Sequence, residues 1–357
     1  MSKKLNLAIL GCGRISRSHI KAIIKERERC NLIAICDKSS KKLEGTFNYV
    51  KEEFQKKNIY LDLIQFKNLK DMLFAHNQKL INIDLLIICT PSGLHCEQAI
   101  EAAKSYINIC TEKPMALNVS DCKRMIQICK EQNVKLFIVK QNRLNTTLKD
   151  LKTKLENKMF GKIGIISLNV FWHRPQAYYD QDSWRGTPEL DGGALMNQAS
   201  HYVDLLEWLF GPVKSVSANI ATIARNIKVE DTAVLNLKWE KGTLGTMAVT
   251  MITYPKNIEG SITIIGDKGS AKIGGEALNK YEFFYFNDEF NENELKQKNY
   301  EIKSVYGSGH YEFYKNMINA INNDEPPICD GESGLSSVKI INAAYLSSKT
   351  GKVIEFK

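Results

Sequence analysis

Gly11-Cys12-Gly13-Arg14-Ile15-Ser16 follows an apolar run, Leu5 to Leu10, and opens a segment, Ser16 to Arg29, in which Ile20, Ile23 and Ile24 recur at helical spacing. Glycine in the first two places allows a tight turn and lets backbone N–H groups approach a pyrophosphate at the helix N-terminus. Ser16 holds the third place and is small enough for close helix–strand packing. The hexapeptide alone is weak evidence. Its context strengthens it: a strand before, a helix after, and Asp37 closing the next apolar run, 21 residues beyond Ser16. An acidic group there suits the hydroxyls of an adenosine ribose and repels a 2′-phosphate, which favours NAD over NADP. Gly11, Gly13, Arg14, Ile15 and Asp37 are the first candidate cofactor residues.

The pattern continues. Short β-branched runs at Leu5–Leu10, Leu32–Cys36, Tyr60–Phe66, Asp84–Cys89, Ile107–Cys110 and Lys135–Val139 alternate with helix-like segments, as in βαβ units with a parallel sheet. A helix is predicted from about Leu94 to Ser105, and another behind the caps Asn118 and Ser120. After Gln141 the texture changes to long alternating runs: Ile163–Trp172, Val213–Thr222, Thr232–Trp239, Leu244–Thr253, Ser261–Ile265 and Tyr281–Phe286. Period-two alternation with few helices between predicts an antiparallel sheet with one buried face. Asp191–Phe210 is predicted as a helix laid against it, and Gly334–Thr350 as a final helix packing back on the first domain through Val338, Ile341, Ala344 and Leu346. The polar stretch Asn287–Lys303 reads as an exposed loop. The fold class is thus α/β followed by α+β, with domains at residues 1–140, 141–333 and a returning segment at 334–357.

Composition narrows the partners. A chain of 357 residues with 43% apolar and 25% charged content is an ordinary globular protein of two domains. The +9 charge is scattered, not blocked, which argues against a nucleic-acid groove and leaves solvated surface or an anionic small substrate. Met1-Ser-Lys-Lys before Leu5–Leu10 imitates a signal peptide, but Gly11, Gly13 and Arg14 break the run and no small-residue cleavage site follows. No stretch reaches the length of a membrane span. The nine cysteines have no zinc-type spacing and several sit in apolar runs, so they read as buried, reduced thiols of a cytoplasmic protein, with no metal site expected.

Two further clusters carry chemistry. Thr90-Pro91-Ser92, with His95, ends the fourth strand, at the carboxyl edge where open α/β sheets bind ligands. His95 either faces the cofactor or sits in the first turn of a helix. Glu112-Lys113-Pro114 ends the fifth strand at the same edge. The second cluster, Asp191 to Asp204, contains Asn197 and His201. A lysine and a histidine can bracket a hydroxyl group, one donating to its oxygen while the other removes its proton.

Together, GCGRIS, Asp37, TPSGLHCEQA (Thr90–Ala99), TEKP and the His201 cluster resemble the Gfo/Idh/MocA oxidoreductase family over nearly the whole chain. The resemblance implies a Rossmann domain, an open-faced antiparallel sheet, and NAD(P)-linked oxidation or reduction of a sugar or cyclitol carbon. Val139–Asn145, Arg174–Asp180, Trp184-Arg185-Gly186, Met196–Asp204 and Thr253–Asn257 look like the WlbA branch. That branch oxidises the 3″-hydroxyl of UDP-N-acetylglucosaminuronic acid on the way to uronates of bacterial surface polysaccharide, such as O-antigen. It also implies 2-oxoglutarate as a recycling oxidant.

On this reading Lys113 and His201 are catalytic. Many members carry Asp where this chain has Asn197. A neutral amide cannot raise a histidine's proton affinity as a carboxylate would, so positioning or substrate binding is left to it. Thr90, Pro91, His95, Glu112, Lys113 and Asn142 join the candidate NAD contacts. Lys113, Arg143, Trp184, Arg185, Asn197, His201, Lys256 and Asn257 are candidate contacts for the UDP-sugar, though each arginine or lysine is equally a salt-bridge partner. The aromatic sheet (Phe171, Trp172, Trp239) is expected to bury its open face in a homo-oligomer, a dimer or tetramer. Another sugar or inositol dehydrogenase, an NAD-dependent glycosidase and a non-catalytic NAD sensor remain as alternatives.

Overall fold

The computed structural model describes residues 3–275, 277–286, 297–301 and 309–356. The expected loop at Asn287–Lys303 lies largely outside them. The chain forms two compact units: Met1–Val139 with His310–Leu335, and Lys140–Gly309 with Ser336–Lys357.

In the first unit, strands β1 (Leu5–Leu10), β2 (Cys30–Cys36), β3 (Ile64–Phe66), β4 (Leu85–Ile88), β5 (Asn108–Thr111) and β6 (Leu136–Ile138) form a sheet in the order β3-β2-β1-β4-β5-β6. Every pairing is parallel. This is the doubly wound dinucleotide-binding order, whose topological switch lies between β1 and β4. The strands read as unbroken apolar runs because helices cover both faces: β4 is buried at all four positions. Asn118 caps the helix Val119–Glu131 by accepting from the Asp121 N–H at 2.8 Å. Ser120 does not cap; its hydroxyl donates to Asn118 Oδ1. The third strand is shorter than predicted, starting at Ile64 and not Tyr60, which is 87% exposed.

The second unit is built on β7 (Ile163–Phe171), β8 (Val213–Ala221), β9 (Thr232–Trp239), β10 (Leu244–Thr250), β11 (Glu259–Gly266), β12 (Gly269–Gly274), β13 (Lys280–Phe286) and β14 (Ile354–Glu355). Their order is β13-β12-β11-β7-β10-β9-β8-β14. The sheet is mixed: β7 and β10 run parallel, and the other pairs are antiparallel. One face carries Ile166, Leu168, Val170, Leu235, Leu237, Met247, Val249, Ile262 and Ile264, all buried. The helix Ser200–Phe210 covers it, with Tyr202 edge-on to Trp172 and Phe210 edge-on to Trp239. Each fully buried leucine of that helix (Leu205, Leu206, Leu209) contributes roughly 1.5–3 kcal/mol.

Two expectations are corrected here. The segment 191–199 is a run of turns, and the helix begins only at Ser200. Trp172 and Trp239 lie on the covered face and not the open one. The open face instead carries a row in register across five strands, Tyr285–Ser270–Ile265–Ile165–Leu244, of which Ile165, Leu244, Ile265 and Tyr285 are exposed. The last helix runs Gly331–Thr350, with Val338, Ile341 and Ala344 buried and Leu346 exposed. Its residues through Leu335 belong to the first unit and those from Ser336 to the second. Among the described residues no helix is long and apolar enough to cross a membrane.

Candidate functional site

In the first unit the carboxyl ends of β1, β2, β4 and β5 present the candidate residues. Gly11 has φ +98°, and a Cβ there would lie 2.7 Å from the carbonyl carbon of Cys89. No residue with a side chain fits. Gly13 is different: its φ is ordinary and a Cβ would meet no protein atom within 4 Å. Neither strain nor packing requires a glycine at Gly13, so the space beside it is open to a ligand. The helix Ser16–Lys25 starts there without a side-chain cap and with no acidic residue in its first turn. Its N-terminal dipole and amide groups therefore suit an anion. These residues fit a pyrophosphate.

Asp37 does more than wait for a ribose. Its Oδ2 accepts the Cys12 N–H at 2.8 Å and its Oδ1 accepts the Ser39 N–H at 2.8 Å, so it also clamps the glycine turn. Burial, then the Asp37 charge, pushes the Cys12 thiol up to about 12, which keeps it protonated. Arg14 is exposed at the turn, with Ile15 at the helix N-cap, and Thr90 and Pro91 are half-buried after β4.

Two residues expected at the cofactor face inward. His95 places Nδ1 2.9 Å from the Pro114 carbonyl and Nε2 2.9 Å from the Thr90 carbonyl, tying together the turns after β4 and β5. Both its ring nitrogens are engaged within the protein. Glu112 is buried: its Oε1 meets His19 Nε2 at 3.0 Å and its Oε2 accepts the Lys113 N–H at 3.1 Å. Burial works to raise its pKa, but the His19 hydrogen bond and the nearby His310 ring override that and hold it well below the ordinary value. Lys113 is half-buried, and the Lys113–Pro114 peptide is cis.

In the second unit His201 is buried in the first turn of its helix, and its Nε2 lies 3.1 Å from the Gln141 amide nitrogen. With that amide N–H as donor, Nε2 is the unprotonated, accepting nitrogen. Asn197 donates from Nδ2 to Asp191 Oδ1, while Asp191 Oδ2 accepts the Gly186 N–H at 2.7 Å. The Asn197 amide thus satisfies a neighbouring carboxylate, where a second carboxylate would repel it. Glu230 supports the same segment. Its Oε1 accepts the Leu195 N–H at 2.9 Å and the Tyr345 hydroxyl at 3.0 Å, and its carbonyl accepts the Ala194 N–H at 3.1 Å. A Cβ on Gly193 would overlap its carboxylate. Burial pushes Glu230 up to about 7.

Arg143, expected on the substrate, is 8% exposed and forms a bidentate pair with Asp204 at 2.8 and 2.7 Å. Lys140 Nζ lies 3.5 Å from the same carboxylate and donates to Ser337 at 2.9 Å. A guanidinium that is buried needs a buried anion, and Asp204 is that anion. Arg185 is placed otherwise: its guanidinium sits over Tyr178 and Trp184, 4.3 and 4.6 Å from the ring centroids, and donates to the Tyr178 hydroxyl at 2.6 Å. Asn257 Oδ1 accepts the His173 N–H at 2.9 Å, and Lys256 is exposed beside it. Asn142 is buried in the 3₁₀ turn Gln141–Leu144.

His19, Gln141 and Glu230 were not among the residues singled out in the sequence, and Asp191 stood there only as the start of its cluster. Gln141 stands inside the Val139–Asn145 match and was within reach; His19 and Glu230 had no local signal.

Residues 5–140 match the NAD-binding Rossmann fold of the Gfo/Idh/MocA oxidoreductases, and residues 152–356 match the C-terminal alpha/beta domain of the same family. The chain belongs to the Gfo/Idh/MocA oxidoreductase family. A WlbA dehydrogenase from Bordetella pertussis, solved with NADH and UDP-GlcNAcA, is 45% identical over 99% of this chain and 98% of its own, with a TM-score of 0.89. The WlbA dehydrogenase from Chromobacterium violaceum, solved with the same two molecules, is 42% identical over 100% of this chain and 97% of its own, with a TM-score of 0.90. A myo-inositol 2-dehydrogenase from Thermotoga maritima is 24% identical over 99% of both chains. This Gfo/Idh/MocA protein is therefore far nearer in sequence to the two nucleotide-sugar enzymes than to that inositol enzyme.

Proposed function

We propose that the protein is an NAD-dependent dehydrogenase that oxidises the 3″-hydroxyl of UDP-N-acetyl-D-glucosaminuronic acid to the 3-keto sugar, a cytoplasmic step in bacterial surface polysaccharide (O-antigen) biosynthesis. The observation that carries this is the 42–45% identity, over essentially the full length, to two dehydrogenases crystallised with NADH and UDP-GlcNAcA.

Bound NAD supplies the hydride acceptor. Gly11 and Gly13 let the backbone approach its pyrophosphate, with Arg14 and Ile15 at the same turn and Asp37 beside the adenosine ribose. Thr90, Pro91 and Asn142 complete the candidate NAD contacts. His201 takes the proton of the sugar hydroxyl at Nε2, the hydroxyl displacing the Gln141 amide N–H from that nitrogen's lone pair. Lys113 donates a hydrogen bond to the developing alkoxide, and Asn197, held by Asp191, keeps the segment before His201 in register. Arg185 presents a flat, aromatic-backed guanidinium suited to the uronate or the pyrophosphate. Trp184, Lys256 and Asn257 flank the substrate. The exposed row Tyr285, Ile265, Ile165 and Leu244 supports a homo-oligomer, a dimer or tetramer, closed over the open sheet face.

The test is to mix purified protein, NAD and UDP-N-acetylglucosaminuronic acid, with and without 2-oxoglutarate, and analyse the sugar by mass spectrometry. A 3-keto product is expected, with more turnovers when 2-oxoglutarate recycles the cofactor. No product, together with activity on inositol or a free hexose, overturns the substrate.

A further inference from the structure

The first unit contains a buried polar cluster that cofactor binding does not account for. His19 is on the helix that begins at the glycine turn, Glu112 precedes Lys113, and His310 and Tyr314 lie on the helix Gly309–Asn323. His19 is fully buried, with Nδ1 2.8 Å from the Tyr314 hydroxyl and Nε2 3.0 Å from Glu112 Oε1. Glu112 Oε2 in turn receives the Lys113 N–H. His310 stands edge-on to His19, its Nε2 3.9 Å from Glu112 Oε1.

The donor atoms of His19, Glu112 and His310 lie within 4.8 Å of one another, a set that suits a metal ion. Hydrogen bonding describes them better, because one proton arrangement satisfies His19 on both sides. Tyrosine donates its O–H to Nδ1, and Nε2–H donates to the carboxylate. That arrangement needs a neutral ring, and burial lowers the pKa of His19 in the same direction. An ionised carboxylate at the centre of an apolar unit is costly, and an aliphatic side chain would pack there at less expense. Strongly shifted buried acids gather at working sites, and this one adjoins a half-buried lysine.

We propose that His19 is a positioning residue for Lys113: its neutral Nε2–H tautomer, set by Tyr314, fixes the Glu112 carboxylate, which holds the Lys113 amide in place. The helix that receives the cofactor phosphates and the turn that carries the lysine are thereby joined through one hydrogen-bonded chain. The inference rests on the role proposed for Lys113 and deepens it. It is independent of which sugar is oxidised.

Three variants of the full-length protein test it: His19→Leu, His19→Gln and Tyr314→Phe. Turnover of UDP-N-acetylglucosaminuronic acid by the unaltered protein is measured first. Its absence overturns the substrate reading, and the variants are then compared on whichever sugar the unaltered protein oxidises. His19→Leu is expected to lower kcat about 10–100-fold, with KM for the sugar and Kd for NADH within about twofold. His19→Gln, which keeps an N–H donor towards Glu112, is expected to restore most of that loss. Tyr314→Phe removes only the group that sets the tautomer, so a several-fold loss of kcat is expected. It also decides the matter if His19→Leu does not fold. An unchanged kcat in His19→Leu, an unchanged kcat in Tyr314→Phe where His19→Leu does not fold, or a loss that falls on NADH affinity in place of kcat, overturns the proposal.

Discussion

Glu112 in the first unit and Glu230 in the second are both buried, and each adjoins a segment assigned to the chemistry, yet they are pushed in opposite directions. Burial raises both. At Glu112 the His19 hydrogen bond and the neighbouring His310 ring oppose it and prevail, leaving the carboxyl well below its ordinary value. At Glu230 the partners are backbone N–H groups and the Tyr345 hydroxyl, the Asp191 charge adds to the effect of burial, and burial prevails, up to about 7. The groups that face a buried acid, and not the depth of its burial alone, decide whether it is a fixed charge or a titrating group. The first unit thus keeps a permanent anion beside Lys113. The second keeps an acid that changes state near neutrality beneath the segment leading to His201.

The hardest blow to this contrast comes from the residues the two acids serve. Lys113→Ala and His201→Ala are each expected to lower kcat by about 10²–10⁴-fold, with NADH binding retained in a fluorescence titration. Normal turnover by Lys113→Ala would leave the Glu112 charge without a task. Next is the pH dependence of stability. Glu230 is raised from 4.5 to about 7 in the folded protein, so its contribution is fully present below about pH 4.5 and is lost as pH rises through about 7. The loss amounts to roughly 3 kcal/mol. Thermal melts between pH 5 and 8 should show it, and Glu230→Gln should flatten that slope; an identical slope in the variant refutes the assignment.

A smaller effect separates space from charge in the first unit. Gly13→Ala meets no protein atom, so melting should stay put while NAD affinity weakens about tenfold, or ~1.4 kcal/mol. Equal loss of both would mean that the turn itself needs the glycine. Smallest of all, Arg124→Ala removes exposed ion pairs to Glu97 and Asp121 and should leave the melting temperature unchanged. A clear drop there would mean that exposed pairs matter as much as the buried ones.

Much of this was legible in the chain. The first sheet could be read because its strands are continuous apolar runs ended by glycine, acid and proline signals, and β1 falls at Leu5–Leu10 as the pattern predicts. The second sheet's alternation was equally plain, but its strand order was not: nothing local tells β7 to run parallel to β10, 73 residues after β7 ends. Turns at 191–199 were misread as helix because Leu195 sits at helical spacing, seven residues, from Tyr202 while Asp191 and Glu230 hold the backbone otherwise. The site divides in the same way. Gly11, Gly13, Asp37, Lys113 and His201 stand in compact motifs. His19 does not, since its partners Glu112 and Tyr314 are 93 and 295 residues distant. Arg143 and His95 looked like ligand contacts because sequence shows a charge or a ring, never what already faces it.

The position of β7 carries a consequence for assembly of the second unit. On one side of it lie β10, β9 and β8, on the other β11, β12 and β13, and each trio is a local up-and-down arrangement of neighbours in sequence. β7 is the seam between them. During synthesis it emerges well before either flank exists, presenting two unpaired edges and an apolar face with Leu168 and Val170. The trios can form early from short loops, whereas docking both onto β7 requires long loop closures and should set the pace of folding. Chain-initiation order therefore works against this sheet, because β7 must wait with both edges unpaired until β10 and β11 have been made.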